Sequence, residues 1–188
     1  MKNNKINILI AKARYLSLEL EECVHINEDY KLGFAREIGK IRSKSTSVSQ
    51  SIKEMNKDIE GGDFSDVSPK KNIDPCIKKL YKKIMTKVHP DKVASIRDDD
   101  RRDAYSNMCS RANSAINNFD IYILIDIADK LDIKIDDPSG ALRMGLEECC
   151  VKYKDDIRMI KSTYVWLWGM SEDELKYKVI NEYMQKNF

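Results

Sequence analysis

His89 and Asp91 flank Pro90 at the end of IKKLYKKIMTKVHPDK, residues 77–92. An imidazole and a carboxylate so close together could work as an acid/base pair, because histidine titrates near neutrality. Such a pair needs a nucleophile or a substrate pocket, and the chain carries no Gly-rich turn, no triad pattern and no metal-ligand spacing. His25, the only other histidine, stands among Glu21, Glu22, Glu28 and Asp29, the pattern of a solvated helix face. The five cysteines, at 23, 76, 109, 149 and 150, form no CxxC and are odd in number, so they read as reduced thiols. The sequence therefore predicts no enzyme, no metal and no cofactor.

The same stretch is basic. Lys79, Lys83 and Lys87 recur every four residues with Lys78 and Lys82 beside them, and Lys92 follows the break. Five lysines on one helix could follow phosphates. Arginines and base-reading amides are missing from that face, however, and Asp98, Asp99 and Asp100 follow, which argues against nucleic acid. The chain as a whole is close to neutral, at +2, so any basic partner surface is local.

The elements that position these residues read as helices. Charged residues make up 34% of the 188-residue chain while Gly and Pro number only 7 and 4, which favours solvent-washed helices over a turn-rich β fold. From Ile6 a seven-residue beat runs through Ala13, Leu20, Phe34 and Ile41, with a second row at Ile10, Val24, Ile38, Ile52 and Ile59. This predicts a long coiled-coil helix over 1–60 whose seam is interrupted by Asn27, Lys31, Gly33, Gly39 and the serine-rich 43–51, with a bend or break after about residue 42. A linker follows at 61–74. Asp74 is then set to cap a helix that starts on Pro75 and turns Ile77, Leu80, Tyr81, Ile84, Met85 and Val88 to one side.

Pro90 should end that helix by driving His89 out of the α region. After a polar loop, an antiparallel partner helix would carry Tyr105, Met108, Cys109, Ala112, Ala115, Ile116 and Phe119 inward, and DIYILIDIADKLDI would form the next buried helix. A second boundary at 136–140 opens a C-terminal helical region over 136–188, with Ser171 and Glu174 as the capping box of the last helix. Of Trp166 and Trp168, two residues apart, one should be core and the other an interface anchor. The stripes of the N-terminal helix and the C-terminal hairpin should bury each other.

A basic amphipathic helix, His-Pro-Asp at its end, a polar loop and an antiparallel partner together resemble the J-domain family of DnaJ-like co-chaperones, in particular bacterial and phage types with flanking coiled-coil helices. The resemblance covers roughly residues 75–131. Ile77, Leu80, Tyr81, Ile84 and Val88 match the family's core, the lysines its charged face, and Asn113, Ala115 and Ile116 part of its third helix. The tryptophans of TYVWLW match its C-terminal helix. The family's short first helix is not recognisable in FSDVSPKKNID, and no Gly/Phe-rich region or zinc repeat follows.

The resemblance implies an all-α fold with a J-domain at 75–135. It implies binding of a DnaK-type (heat-shock 70 family) chaperone through His89, Pro90, Asp91, Lys78, Lys79, Lys82, Lys83, Lys87 and Lys92, and stimulation of that partner's ATP hydrolysis. The client is unspecified, and a homodimer through the coiled coil is one consistent assembly. With no apolar run of membrane-spanning length and no cleavable leader, the expected setting is the cytoplasm. The alternative function is a helical scaffold or assembly protein with a vestigial J-domain.

Overall fold

The structure, a computed structural model, describes residues 2–42, 73–94, 96–135 and 140–187. Ile52, Ile59, the serine-rich 43–51, linker residues 61–72 and the 136–139 part of the second boundary lie outside them. The described residues are all-α, with no strand. Their helices are α1 (Lys2–Arg42), α2 (Pro75–Val88), the single turn α3 (Pro90–Val93), α4 (Asp99–Asn117), α5 (Ile121–Lys130), α6 (Ala141–Lys161), α7 (Tyr164–Met170) and α8 (Asp173–Asn187). None is long and apolar enough to cross a membrane.

Two compact units divide the chain, Met1–Ser17 with Lys71–Tyr153 and Leu18–Lys70 with Lys154–Phe188. In the first, α2, α4 and α5 pack against one another and α3 lies against α4. Asp74 caps α2 as the sequence predicts: its Oδ1 accepts the Cys76 N–H at 2.7 Å, and Pro75 supplies a first-turn residue with no N–H to satisfy. Ile77, Leu80, Ile84 and Val88 are buried, so the apolar stripe of α2 is its inward face.

The partner helix α4 stops at Asn117, two residues short of the apolar pattern. Phe119 takes φ +55° and the Asp120 N–H reaches back to the Ala115 carbonyl at 2.8 Å, a Schellman ending on a residue other than glycine. Phe119 is thereby outside the helix and half-buried, where the sequence placed it inward. α5 ends in the same way: Asp132 has φ +50° and the Ile133 N–H bonds the Ala128 carbonyl. A left-handed non-glycine residue costs about 1–2 kcal/mol. Each ending is therefore held by what it connects, and at the first of them Asp120 at once becomes the N-cap of α5.

α6 closes over the start of α5. Gly145 is buried because a Cβ there would overlap the Ile121 side chain. Further along, the Tyr153 hydroxyl donates to both Asp120 oxygens, at 2.6 and 2.7 Å, and its ring stands edge-on to Tyr122.

The second unit packs the later part of α1 against α7 and α8, as the two unpartnered stripes require. Phe34, Ile38, Val165 and Ile180 form its buried cluster, with Tyr30, Trp168 and Tyr183 at the margin. Phe34 is tilted against Trp168 at 5.8 Å and edge-on to Tyr183 at 5.3 Å. Two glycines set the approach of α1 to α7: Trp168 lies where a Gly33 Cβ would come within 2.8 Å, and the Tyr30 ring fills the space beside Gly169. Each helix thus lays an aromatic ring on a glycine of the other.

Expectations for the seam of α1 and the start of α8 are corrected here. α1 is continuous from Lys2 to Arg42, and the break expected after about residue 42 lies outside the described residues. Asn27 is half-buried and its carboxamide oxygen accepts the Thr163 hydroxyl at 3.2 Å, so a residue read as an interruption is a tie to the cap of α7. The first heptad row faces inward; of the second, Ile38 is buried and Ile10 half-buried while Val24 is exposed, and Leu16, Cys23 and Tyr30 turn inward beside them. Ser171 does not open α8. It closes α7, its hydroxyl donating to the Leu167 carbonyl at 2.5 Å, and α8 begins at Asp173.

Candidate functional site: the His-Pro-Asp turn

α2 ends because proline follows His89. His89 adopts φ −60°, ψ 140°, still giving its N–H to the Met85 carbonyl at 2.9 Å, and its own carbonyl then accepts from Lys92 and Val93. What the sequence suggested as a loop is therefore a new turn of helix, Pro90–Val93, re-aimed by one extended residue. Val88 on one side of the break and Val93 on the other are both buried. His89, Pro90, Asp91 and Lys92 between them are exposed, the Asp91 side chain to 89% and that of His89 to 51%.

The turn is thus a short arch pinned at both feet. Val93 is a positioning residue that sequence reading missed; its signal was an apolar residue five positions after the last core residue of α2, inside a polar stretch.

His89 Nδ1 lies 3.4 Å from the Asp91 amide nitrogen and 3.4 Å from Asp91 Oδ2. The nitrogen accepts the amide N–H, and most of the Asp91 carboxylate is left to solvent as an acceptor.

The basic residues divide into two sets. Lys87 Nζ donates to the Leu131 carbonyl at 2.5 Å and Lys83 Nζ to the Lys134 carbonyl at 3.1 Å. Positive charge at the C-terminal end of α5 is favourable, since the last carbonyls of a helix lack partners and carry partial negative charge. Lys78, Lys79 and Lys82 are exposed and have no side-chain partner among the described residues. Lys92 is exposed beside Asp91. Tyr81 is half-buried and donates to Asn113 Oδ1 at 2.6 Å, tying α2 to α4 at the residue the family resemblance singled out.

A second set of titratable groups meets at the start of α5. Burial, with the hydrogen bond and charge of Asp120 after it, holds the Tyr153 phenol far above its usual range. Desolvation pushes the Cys149 thiol up to about 11. By its contacts the cluster caps α5 and packs α6 against it: Asp120 accepts the Ile123 N–H and the Tyr153 hydroxyl. Cys149 and Cys150 are both buried although neighbours, and all five cysteines are free thiols.

Comparison with known proteins supplies no relative: no protein-family model, no curated protein and no solved structure matches the chain.

Proposed function

We propose that this protein is a J-domain co-chaperone: the hairpin of α2 and α4 docks on a DnaK-type chaperone and accelerates that partner's ATP hydrolysis, and the flanking helices select the client. The observation that carries this reading is the exposed His-Pro-Asp arch held between buried Val88 and Val93. A carboxylate so presented accepts charge-assisted hydrogen bonds from a partner's arginine without first paying for its own ordering. Lys78, Lys79 and Lys82 steer an acidic surface to it, an effect that weakens with salt. The protein would break no bond itself; it would shift the partner toward its hydrolysing state, and it would work where ATP-driven chaperones work, in the cytoplasm.

Steady-state ATP hydrolysis by a DnaK-type chaperone tests the proposal. Wild type should raise the rate on the order of tenfold, the scale of a coupling energy of about 1.4 kcal/mol. Asp91→Asn and His89→Gln should each abolish the rise with the far-UV dichroism unchanged. A scaffold with a vestigial J-domain is the second reading, and the donation of Lys83 and Lys87 to carbonyls of the same chain favours it. Absence of any acceleration across several such chaperones would decide for the scaffold.

A further inference from the structure

One face of α1 is already covered within the chain: Ala13, Leu16, Cys23 and Phe34 are buried, and Leu20, Asn27, Tyr30 and Ile41 half-buried. α1 also carries a second stripe, on the side away from that face. Ile8, Ala11, Tyr15, Leu18, Glu22 and His25 recur in alternating steps of three and four residues, the spacing of a coiled-coil seam, and all are exposed. Its large apolar members are exposed to 62% at Ile8, 65% at Tyr15 and 58% at Leu18. An isolated exposed leucine means little, but a run of them at seam spacing on one helix is an unfilled interface.

We propose that this stripe pairs with the same stripe of a second copy of the chain, antiparallel, with Tyr15 against the second copy's Leu18. Charge selects both occupant and direction. Parallel pairing would stack Glu22 on Glu22 and Asp29 on Asp29 along the seam, like charges face to face. Antiparallel pairing sets Ala11 opposite the second copy's Glu22 and Ile8 opposite its His25, so no acidic pair forms.

The flanking positions then become complementary. Arg14 meets the second copy's Glu21 and Lys12 its Glu19, each twice by symmetry. Arg14, Lys12 and Glu21 are exposed with no side-chain partner among the described residues. Glu19 already receives Lys161 Nζ at 2.8 Å, so Lys12 would join an existing pair. Lys5 would meet Ile26 and Asn7 would meet Glu28, so no like-charged pair is created anywhere in the overlap. Residues 8–25 span about 26 Å of helix at ~1.5 Å per residue. The proposal does not depend on the co-chaperone reading.

Sedimentation equilibrium of the full chain, from micromolar to near-millimolar concentration, is the test. Wild type should show a reversible monomer–dimer equilibrium, and Tyr15→Glu with Leu18→Glu should stay monomeric at every concentration with unchanged dichroism and melting, since both positions are exposed. Arg14→Glu should weaken the dimer by about tenfold or more, and Arg14→Glu combined with Glu21→Arg should restore it. A parallel pair would set Arg14 against Glu19, so the exchange would fail to rescue. A wild type monomeric throughout, a dimer indifferent to the Tyr15/Leu18 substitutions, or an exchange that does not restore association would each overturn the proposal.

Discussion

Glycines with opposite consequences stand among the described residues, and sequence treats them alike. Gly39 has nothing within reach of a Cβ, whereas a Cβ on Gly169 would overlap the Tyr30 ring. Gly39→Ala should therefore raise the unfolding free energy by about 1 kcal/mol, the helix propensity difference. Gly169→Ala should lower it by about 1–3 kcal/mol, because overpacking outweighs that gain. Urea unfolding of the two variants checks the opposite signs; equal gains would mean that Tyr30 does not rest on Gly169. Gly33 and Asn27 looked like breaks in a seam for the same reason: their fitness depends on Trp168 and Thr163, more than a hundred residues away in the chain.

Among elements, α2 is where local rules and tertiary use diverge most clearly. Its start on Asp74 and Pro75, its apolar stripe and its end before Pro90 follow from cap chemistry, helical period and the steric restriction before proline. Nothing in the spacing of its lysines separates Lys79 from Lys83 and Lys87, yet only the latter two reach the carbonyls at and beyond the end of α5. Lys87→Met, which keeps the aliphatic stem, should cost about 1 kcal/mol of stability, and Lys79→Met should stay within about 0.5 kcal/mol of wild type. Chemical denaturation of both variants measures the difference. Indistinguishable stabilities would show that Lys87 is not a helix-end ligand. The same distinction bears on the proposed docking face, whose encounter charge then rests on Lys78, Lys79 and Lys82.

For the whole molecule, the first compact unit draws on segments far apart in sequence, and the helical set around the arch is not closed by residues 73–135 alone. α6 supplies Gly145 against Ile121, Tyr153 against Tyr122 and the hydroxyl that both Asp120 oxygens accept. A fragment ending at residue 135 should uncover Ile121 and Tyr122, which are 2% and 6% exposed in the intact chain, and leave the Asp120 cap without its phenol. The loss expected is several kcal/mol, enough to unfold a domain of that size or broaden its transition. Near-UV dichroism and thermal melting of the fragment beside the full chain are the measurements. A fragment that melts as sharply and as high as the full chain would show that α6 is dispensable to the arch.

Local physics, which acts over a few residues, made the helices and their order legible in the sequence, together with the His-Pro-Asp break, the Asp74 cap and the inward face of α2. Tertiary structure alone decided that the heptad seam of α1 is spent inside the chain and its opposite face left open, that Trp168 lies on Gly33 rather than outward, and that two of the lysines bind carbonyls. It also decided that Val93 anchors the arch. Each of these depends on which surface a side chain meets across long sequence separation, and periodicity along one helix carries no information about the identity of the surface opposite.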